Sequence, residues 1–356
     1  MPKPRILIIA TGGTIASAEA GDGLAPELTG EQLAAHVPQV ADIAEVDVTQ
    51  AMNIDSTNMR PDDWLRIADA VLASYDAYDG FVVLHGTDTM AYTAAALSYL
   101  VQASPKPIVL TGSQQPMGDP FTDARLNLYQ SVLYAADPAS RDVSVVFGGK
   151  VVAGTRARKQ RTMSFNAFVS VNYPELALIR GDRIIRTAPA APATREVPGA
   201  TAATDGPKEV PTTARNQRPH ERPLAYHALD TRVIVLKLTP GLSAATFELL
   251  RPEYDAIILE TFGIGGIPET LHEPLFSWIG SGRTLVVTTQ VPEEGVDLGV
   301  YEVGRPFSES PAVLKGADMT TEALVAKTMW ALGQTRDPDK LRELFYRPVN
   351  FDRTDE

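Results

Sequence analysis

The chain has 356 residues, enough for two ordinary domains with a sizeable core. Hydrophobic residues make up 44% and charged residues 21%, the balance of an ordinary globular protein, which excludes wholesale disorder. A net charge of −12 argues against a broad nucleic-acid surface, and the absence of cysteine removes disulfides, thiol catalysis and cysteine-held zinc.

The chain opens "MPKPRILIIA", a basic start followed by an apolar run at 6–10 that is too short for the core of a signal peptide. No apolar run approaches the length of a membrane span, so a cytoplasmic protein without membrane contact is expected. Strands are predicted at 5–10, 80–86, 106–112 and 142–149, each apolar throughout and closed by glycine, as buried parallel strands are. Helices are predicted between them. The one at 60–75 has Pro61, Asp62 and Asp63 in its first turn and Trp64, Ile67, Ala68 and Val71 on one face. Similar patterns occupy 88–102 and 123–136. Strands alternating with helices imply a doubly wound α/β sheet.

The rhythm stops at 187–224, which is rich in proline, alanine and threonine and has few large apolar side chains to bury. It resumes with predicted strands at 232–238, 255–263 and 283–290 and a helix at 320–333. The expected organisation is an N-terminal α/β domain at 1–186 with the larger, mostly parallel sheet. A linker or insertion at 187–225 follows, then a smaller C-terminal α/β domain at 226–356.

Ligands of open α/β sheets collect at the carboxyl ends of strands. Four such ends are polar here: "TGGT" (11–14), "HGTDTM" (85–90), "TGSQQP" (111–116), and the run after "FGG" through "RARKQR" (156–161). A fifth candidate is "MNIDSTNM" (52–59), on the loop before a helix. Phosphate chemistry does not fit: GxxxxGK[ST] and GxGxxG are absent, and none of the eleven tyrosines is followed four residues later by lysine. A nucleophile fits better. Thr14 follows two glycines, which let the backbone turn sharply and present a hydroxyl. GxSxG is missing, but Thr87, Asp88 and Lys159 offer a desolvated amine as base and a carboxylate to orient it.

At these residues the sequence resembles the bacterial-type L-asparaginase family, amidohydrolases that use threonine. "TGGTIA" and "HGTDTM" match its two signatures, and "LTGSQQP", "GTRARK", "FNAFVSVNYPELA" and "PEEGVDLGVYEVG" continue the match outside 187–224. The form "IDSTNM" and the start of the chain favour the cytoplasmic, type I branch. The resemblance implies the two-domain fold of that family and hydrolysis of L-asparagine through a β-aspartyl enzyme. Thr14 would attack the amide carbon, and Thr87, Asp88 and Lys159 would complete the catalytic set, with backbone N–H groups including that of Thr87 at the oxyanion. Asp88 would meet the substrate's α-ammonium, Ser56 its α-carboxylate, and Asp55 and Thr57 would flank that contact. It implies no metal or organic cofactor, and a homodimer or homotetramer.

Two positions depart from the family pattern. No tyrosine occurs at 11–74, so the lid expected at 21–29 lacks the usual one, and Gly266 stands where relatives usually have asparagine. Other polar residues at the strand ends suit structural roles. Thr11 is expected to shape its turn, His85 to be a satisfied buried imidazole, and Asp119 and Asp123 to cap helices. Arg156, Arg158 and Arg161 are expected in a solvated loop, while Ser113 and Gln114 could line the pocket or close a turn. Two other functions use the same features: the asparaginase-like subunit of a glutamyl-tRNA amidotransferase, and a non-catalytic amino-acid sensor. The first carries an extra domain before its first threonine signature, whereas ten residues precede Thr11 here; the second would have no need of all four catalytic positions.

Overall fold

The computed structural model describes residues 2–13, 15, 17–20, 23–26, 36–187, 222–300 and 304–354. Strand β1 (Arg5–Gly12) is buried from its second residue onward. Its alternation divides the core: Leu7 and Ile9 enter one apolar cluster, Ile6 and Ile8 a second on the opposite face. A strand buried on both faces needs helices on both sides, and it has them. The helix Met90–Leu100 packs Ala94 and Leu97 into the first cluster, and Ala124–Ala136 packs Leu128 and Val132 into the second. The helix Pro61–Ala73 buries Trp64, Ile67, Ala68 and Val71, the face expected of it.

The strands β2 (Ser17–Ala20) and β3 (Gly23–Pro26) pair antiparallel. Then come β4 (Glu45–Ile54), β5 (Gly80–Leu84), β6 (Val101–Gln102), β7 (Ile108–Thr111) and β8 (Val143–Phe147). After them lie β9 (Lys150–Ala153), β10 (Ala157–Lys159), β11 (Phe168–Ser170), β12 (Ala177–Arg180) and β13 (Arg183–Arg186). Among the described residues the larger sheet has eight strands in the order β13-β12-β9-β8-β7-β5-β1-β4. The strands from β8 to β4 are parallel, and β9, β12 and β13 extend β8 as an antiparallel edge. Two of its pairs, β8–β9 and β12–β13, are joined by tight turns, and neighbours so joined must run antiparallel.

Residues 188–221, most of the stretch read as a linker, lie outside the described residues. Its far end is structured: β14 (Leu224–Ala225) pairs antiparallel with β6. The smaller sheet is fully parallel, β15 (Val233–Lys237), β16 (Ala256–Thr261), β17 (Thr284–Thr289) and β18 (Val313–Lys315) in that order. The helix Thr321–Gln334 covers one face, capped by Thr320, whose hydroxyl accepts from Ala323 N.

One apolar cluster spans both sheets. It contains Tyr99 and Leu100 from the first half with Ile258, Val286, Leu324 and Trp330 from the second. Tyr99 stacks on Trp330 with centroids 5.9 Å apart, and Tyr226 meets the same indole edge-on at 5.2 Å. The residues near 350 are stitched into the first half as well. Thr155 Oγ1 donates to Asn350 O (2.6 Å), Asn350 Nδ2 to Ser98 Oγ (2.9 Å), and Arg156 Nε to Phe351 O (2.5 Å). Asp352 is fully buried, accepting from Tyr99 OH (2.9 Å) and Lys327 Nζ (2.5 Å). No described helix is long and apolar enough to cross a membrane.

Candidate active site

The carboxyl ends of β1, β4 and β5 meet backbone to backbone, and glycine is what permits it. Gly12 has a φ of 104°, and a Cβ there would lie 2.4 Å from Ile54 O. Gly13, at a φ of 86°, would place one 2.3 Å from Gly86 N and 2.4 Å from Gly86 Cα. Both glycines are therefore needed twice over, for a left-handed backbone and for contact no side chain allows. Gly13 N also donates to Ile54 O at 3.2 Å. Thr11 Oγ1 donates to Leu84 O (2.8 Å), tying β1 to β5, which is the shaping role expected of it.

His85 is fully buried behind this floor. Nδ1 donates to Gly86 O (2.7 Å), so in the neutral ring Nε2 accepts from Thr93 Oγ1 (2.8 Å). Burial pushes its pKa down to about 4, against a smaller opposing effect of the Gly86 carbonyl. It is a satisfied neutral imidazole, as expected.

Lys159 ends β10, which hydrogen-bonds to β11 with Lys159 opposite Phe168. Its Nζ donates to Thr87 Oγ1 (2.7 Å) and to Asp88 Oδ1 (2.6 Å). Residues 71 and 72 positions apart in the chain thus form one polar cluster. Thr87 is 5% exposed, while the Asp88 side chain keeps 57% of its surface open. Thr87 Oγ1 donates in turn to Gln114 Oε1 (3.2 Å). An amine, a hydroxyl and a carboxylate in contact can move a proton and hold a cation beside it.

Ser56 is buried at the end of β4, its hydroxyl pressed against Gly86: a Cβ on that glycine would lie 2.4 Å from Ser56 Oγ. Thr89 Oγ1 donates to Ser56 O (2.8 Å), fixing the turn from the opposite side. Asp55 and Thr57 are exposed and bond to each other: Asp55 Oδ1 accepts from Thr57 N (2.8 Å) and Thr57 Oγ1 (2.9 Å). The structure therefore brings Ser56 against the Gly86 backbone and makes Asp55 the cap of the short turn Ser56–Asn58. Thr14 lies outside the described residues, as do residues 21–22 and 27–29 of the expected lid; Gly23–Pro26 belong to β3. Gly266 closes a turn by donating its N–H to Phe262 O at 2.7 Å.

Three expectations are corrected. Arg156 is not in a solvated loop: it is fully buried, with Nη1 on Asp318 Oδ2 (3.0 Å) and Asp318 O (2.9 Å). Arg156 lies in the turn before β10 and exposed Arg161 beyond its far end, a distinction a run of basic letters hides. Asp123 stands at a helix N-cap position without bonding to that helix's N–H groups. Its carboxylate instead accepts from Gln114 N (3.0 and 3.1 Å), Gln115 N (3.1 Å) and Asn127 Nδ2 (3.0 Å). Asn127 was missed; it clamps Gly112 O and Gly148 N at the ends of β7 and β8, and its spacing of four from Asp123 on one helix face was the available signal. Asp119 accepts from Phe121 N (2.7 Å), making a local turn rather than a helix cap.

Taken together, the two sheets and the amine–hydroxyl–carboxylate cluster at the carboxyl ends of the larger one define an α/β protein with a polar site served by five separate loops. The family described as "Asparaginase, N-terminal" matches residues 5–191, and "Glutaminase/Asparaginase C-terminal domain" matches residues 232–345. The chain belongs to the asparaginase family. It is 36% identical over 352 residues to the L-asparaginase of Thermococcus kodakarensis, covering 97% of this chain and 98% of that one. The solved structure "The thermostable L-asparaginase from Thermococcus kodakarensis" superposes with a TM-score of 0.83 at 35% identity, over 99% of this chain and 100% of that one. That of the "Probable Cytoplasmic L-asparaginase from Campylobacter jejuni" gives a TM-score of 0.76 at 26% identity, over 97% and 100%. A glutamyl-tRNA(Gln) amidotransferase subunit of Metallosphaera sedula is 32% identical over 362 residues, covering 96% of this chain and 74% of that one.

Proposed function

We propose that the protein is an L-asparaginase, hydrolysing L-asparagine to L-aspartate and ammonia with Thr14 as nucleophile. The observation that carries this reading is the contact of Lys159 Nζ with both Thr87 Oγ1 and Asp88 Oδ1, at the carboxyl end of a sheet of the asparaginase family. Thr14 Oγ forms a bond to the side-chain amide carbon, and the C–N bond breaks as the nitrogen takes a proton and leaves as ammonia. Water then cleaves the resulting β-aspartyl ester and restores the hydroxyl. Lys159 accepts a proton through Thr87 and so activates Thr14 or the water. Backbone N–H groups, that of Thr87 among them, hold the oxyanion, each such donor being worth about 3 kcal/mol in the transition state.

The substrate is a zwitterion, and the site treats its ends differently. The open side of Asp88 takes the α-ammonium, and Ser56 with neighbouring backbone N–H groups takes the α-carboxylate, flanked by Asp55 and Thr57. No metal or organic cofactor enters this scheme. The same reading makes the chain a cytoplasmic homodimer or homotetramer, with a catalytic domain at 1–186, an insertion at 187–225 and a second domain at 226–356.

Ammonia release from asparagine and glutamine by the purified chain is the test. Turnover of free asparagine, abolished in Thr14→Ala and reduced at least about a hundredfold in Lys159→Met, supports the scheme. Full turnover in Thr14→Ala removes the nucleophile. The likeness to the amidotransferase subunit gives a second reading, and ammonia release that appears only with a partner subunit and tRNA would establish it instead.

A further inference from the structure

We propose that Gln114 is a positioning residue that sets the direction of the hydrogen bond between Lys159 and Thr87, holding Thr87 as acceptor. The proposal rests on the hydrolytic reading above. The carboxamide has only one workable orientation. Nε2 donates to Thr162 O (3.0 Å) and Ser164 O (3.2 Å), so a flipped amide would turn its oxygen onto two carbonyls. Oε1 must therefore face Thr87 Oγ1, 3.2 Å away. An amide oxygen only accepts, so this bond uses the single proton of the Thr87 hydroxyl. With that proton committed, Thr87 Oγ1 has only lone pairs for Lys159 Nζ at 2.7 Å.

The backbone of Gln114 is held as firmly. Its N–H points between both oxygens of Asp123, which is itself bonded to Asn127. The ionisable groups around this point are Asp88 and Lys159 at the relay, Asp123 beneath the Gln114 backbone, and Arg161, whose Nη1 turns to Asn166 O.

Proton transfer from Thr87 to Lys159 requires the opposite direction, with the hydroxyl proton on the Nζ side and the amine neutral. Gln114 favours the charged amine. Without its oxygen, the charged state leaves the Thr87 proton unpaired, while the neutral state gives that proton to Nζ. The residue thus adjusts the pH at which the relay becomes competent, acting through Thr87 and not on substrate.

The experiment is the pH profile of kcat/KM for asparagine in the parent, Gln114→Met and Gln114→Glu. Methionine keeps the length and removes the acceptor, and the acidic limb should move to lower pH by about half to one unit, the size of one neutral hydrogen bond. Glutamate, while protonated, donates to one of the two carbonyls and accepts from Thr87. That variant should follow the parent at low pH and depart from it once the acid ionises. A 15N titration of the Lys159 Nζ signal should show the methionine shift without substrate. An unmoved limb and an unmoved Nζ titration in Gln114→Met overturn the proposal, including when melting temperature falls, because that pattern marks a purely structural role. If Gln114→Met does not fold, a Gln114→Glu profile identical to the parent's throughout overturns it. Failure of the hydrolytic reading looks different: no ammonia from the parent, or full turnover in Thr87→Val, with the Nζ titration still deciding the role of Gln114.

Discussion

Gly13 sits so close to Gly86 that a single methyl group meets backbone atoms that have nowhere to go. Gly13→Ala combines a strained positive φ with that overlap, and should cost at least about 2 kcal/mol in urea unfolding along with most of the turnover. A variant of parental stability would mean that the strand ends can part freely. His85 gives a second expectation at this scale. Its folded pKa of about 4 lies below the ordinary 6.5, so between those values the unfolded chain binds the extra proton. Its contribution is fully present above pH 6.5 and is lost as pH falls toward 4, up to about 3 kcal/mol. In His85→Gln the slope of unfolding free energy against pH should flatten by about one proton in that window. An unchanged slope would show that His85 protonates freely in the folded chain.

Among the elements, β10 is short, and its approach is anchored at a distance. Arg156 immediately precedes the strand that carries Lys159 and reaches Asp318 and Phe351 in the second half of the chain. Arg156→Met strands a mostly buried Asp318 and should cost about 3–5 kcal/mol by denaturant midpoint. The kcat for asparagine should fall with it as Lys159 loses its support. Equal stability of variant and parent would remove Arg156 from this role. The elements also differ in how far their letters betrayed them. Strands β1, β5, β7 and β8 were legible because nearly every residue is apolar, which only a strand covered on both faces needs. Strand β4 was not, because exposed Glu45, Asp47, Thr49 and Gln50 at the sheet edge dilute the pattern. The helix Pro338–Tyr346 was overlooked although Asp337, accepting from Lys340 N, and Pro338 mark its start as a cap and a first-turn proline do. In the site, the Thr87–Asp88 pair and Lys159 were found by family pattern, whereas the part played by Gln114 depends on a loop fold at 162–164 that no local pattern encodes.

At the scale of the whole molecule, the two sheets share a core through Tyr99, Leu324 and Trp330, which sequence periodicity could not pair because it reports faces and not partners. Next to that core lies the buried pair Lys327–Asp352, both side chains without exposed surface. Burial lowers the Lys327 pKa to about 8, with the Asp352 carboxylate working against it. Asp352→Asn removes the compensating charge and should cost about 3–5 kcal/mol, read as a lowered midpoint in urea. It should do so in one transition monitored at either sheet; two separated transitions would mean that the halves unfold independently.

The stitching at Asn350 and Phe351 has a consequence for the order in which the protein is made. Arg156 finds its carbonyl partner 195 residues further along the chain. At about 5–20 residues per second, the ribosome delivers that partner about 10–40 seconds after Arg156 itself. During that interval the strands of the larger sheet have been made, but the strand bearing Lys159 lacks this support. Stalled nascent chains whose emerged part ends before Asn350 should be cleaved readily near Arg156 by added protease, and those with Asp352 outside the exit tunnel should resist. Arg156 completes its contacts only after residue 351 has emerged, long after Thr87, Asp88 and Lys159.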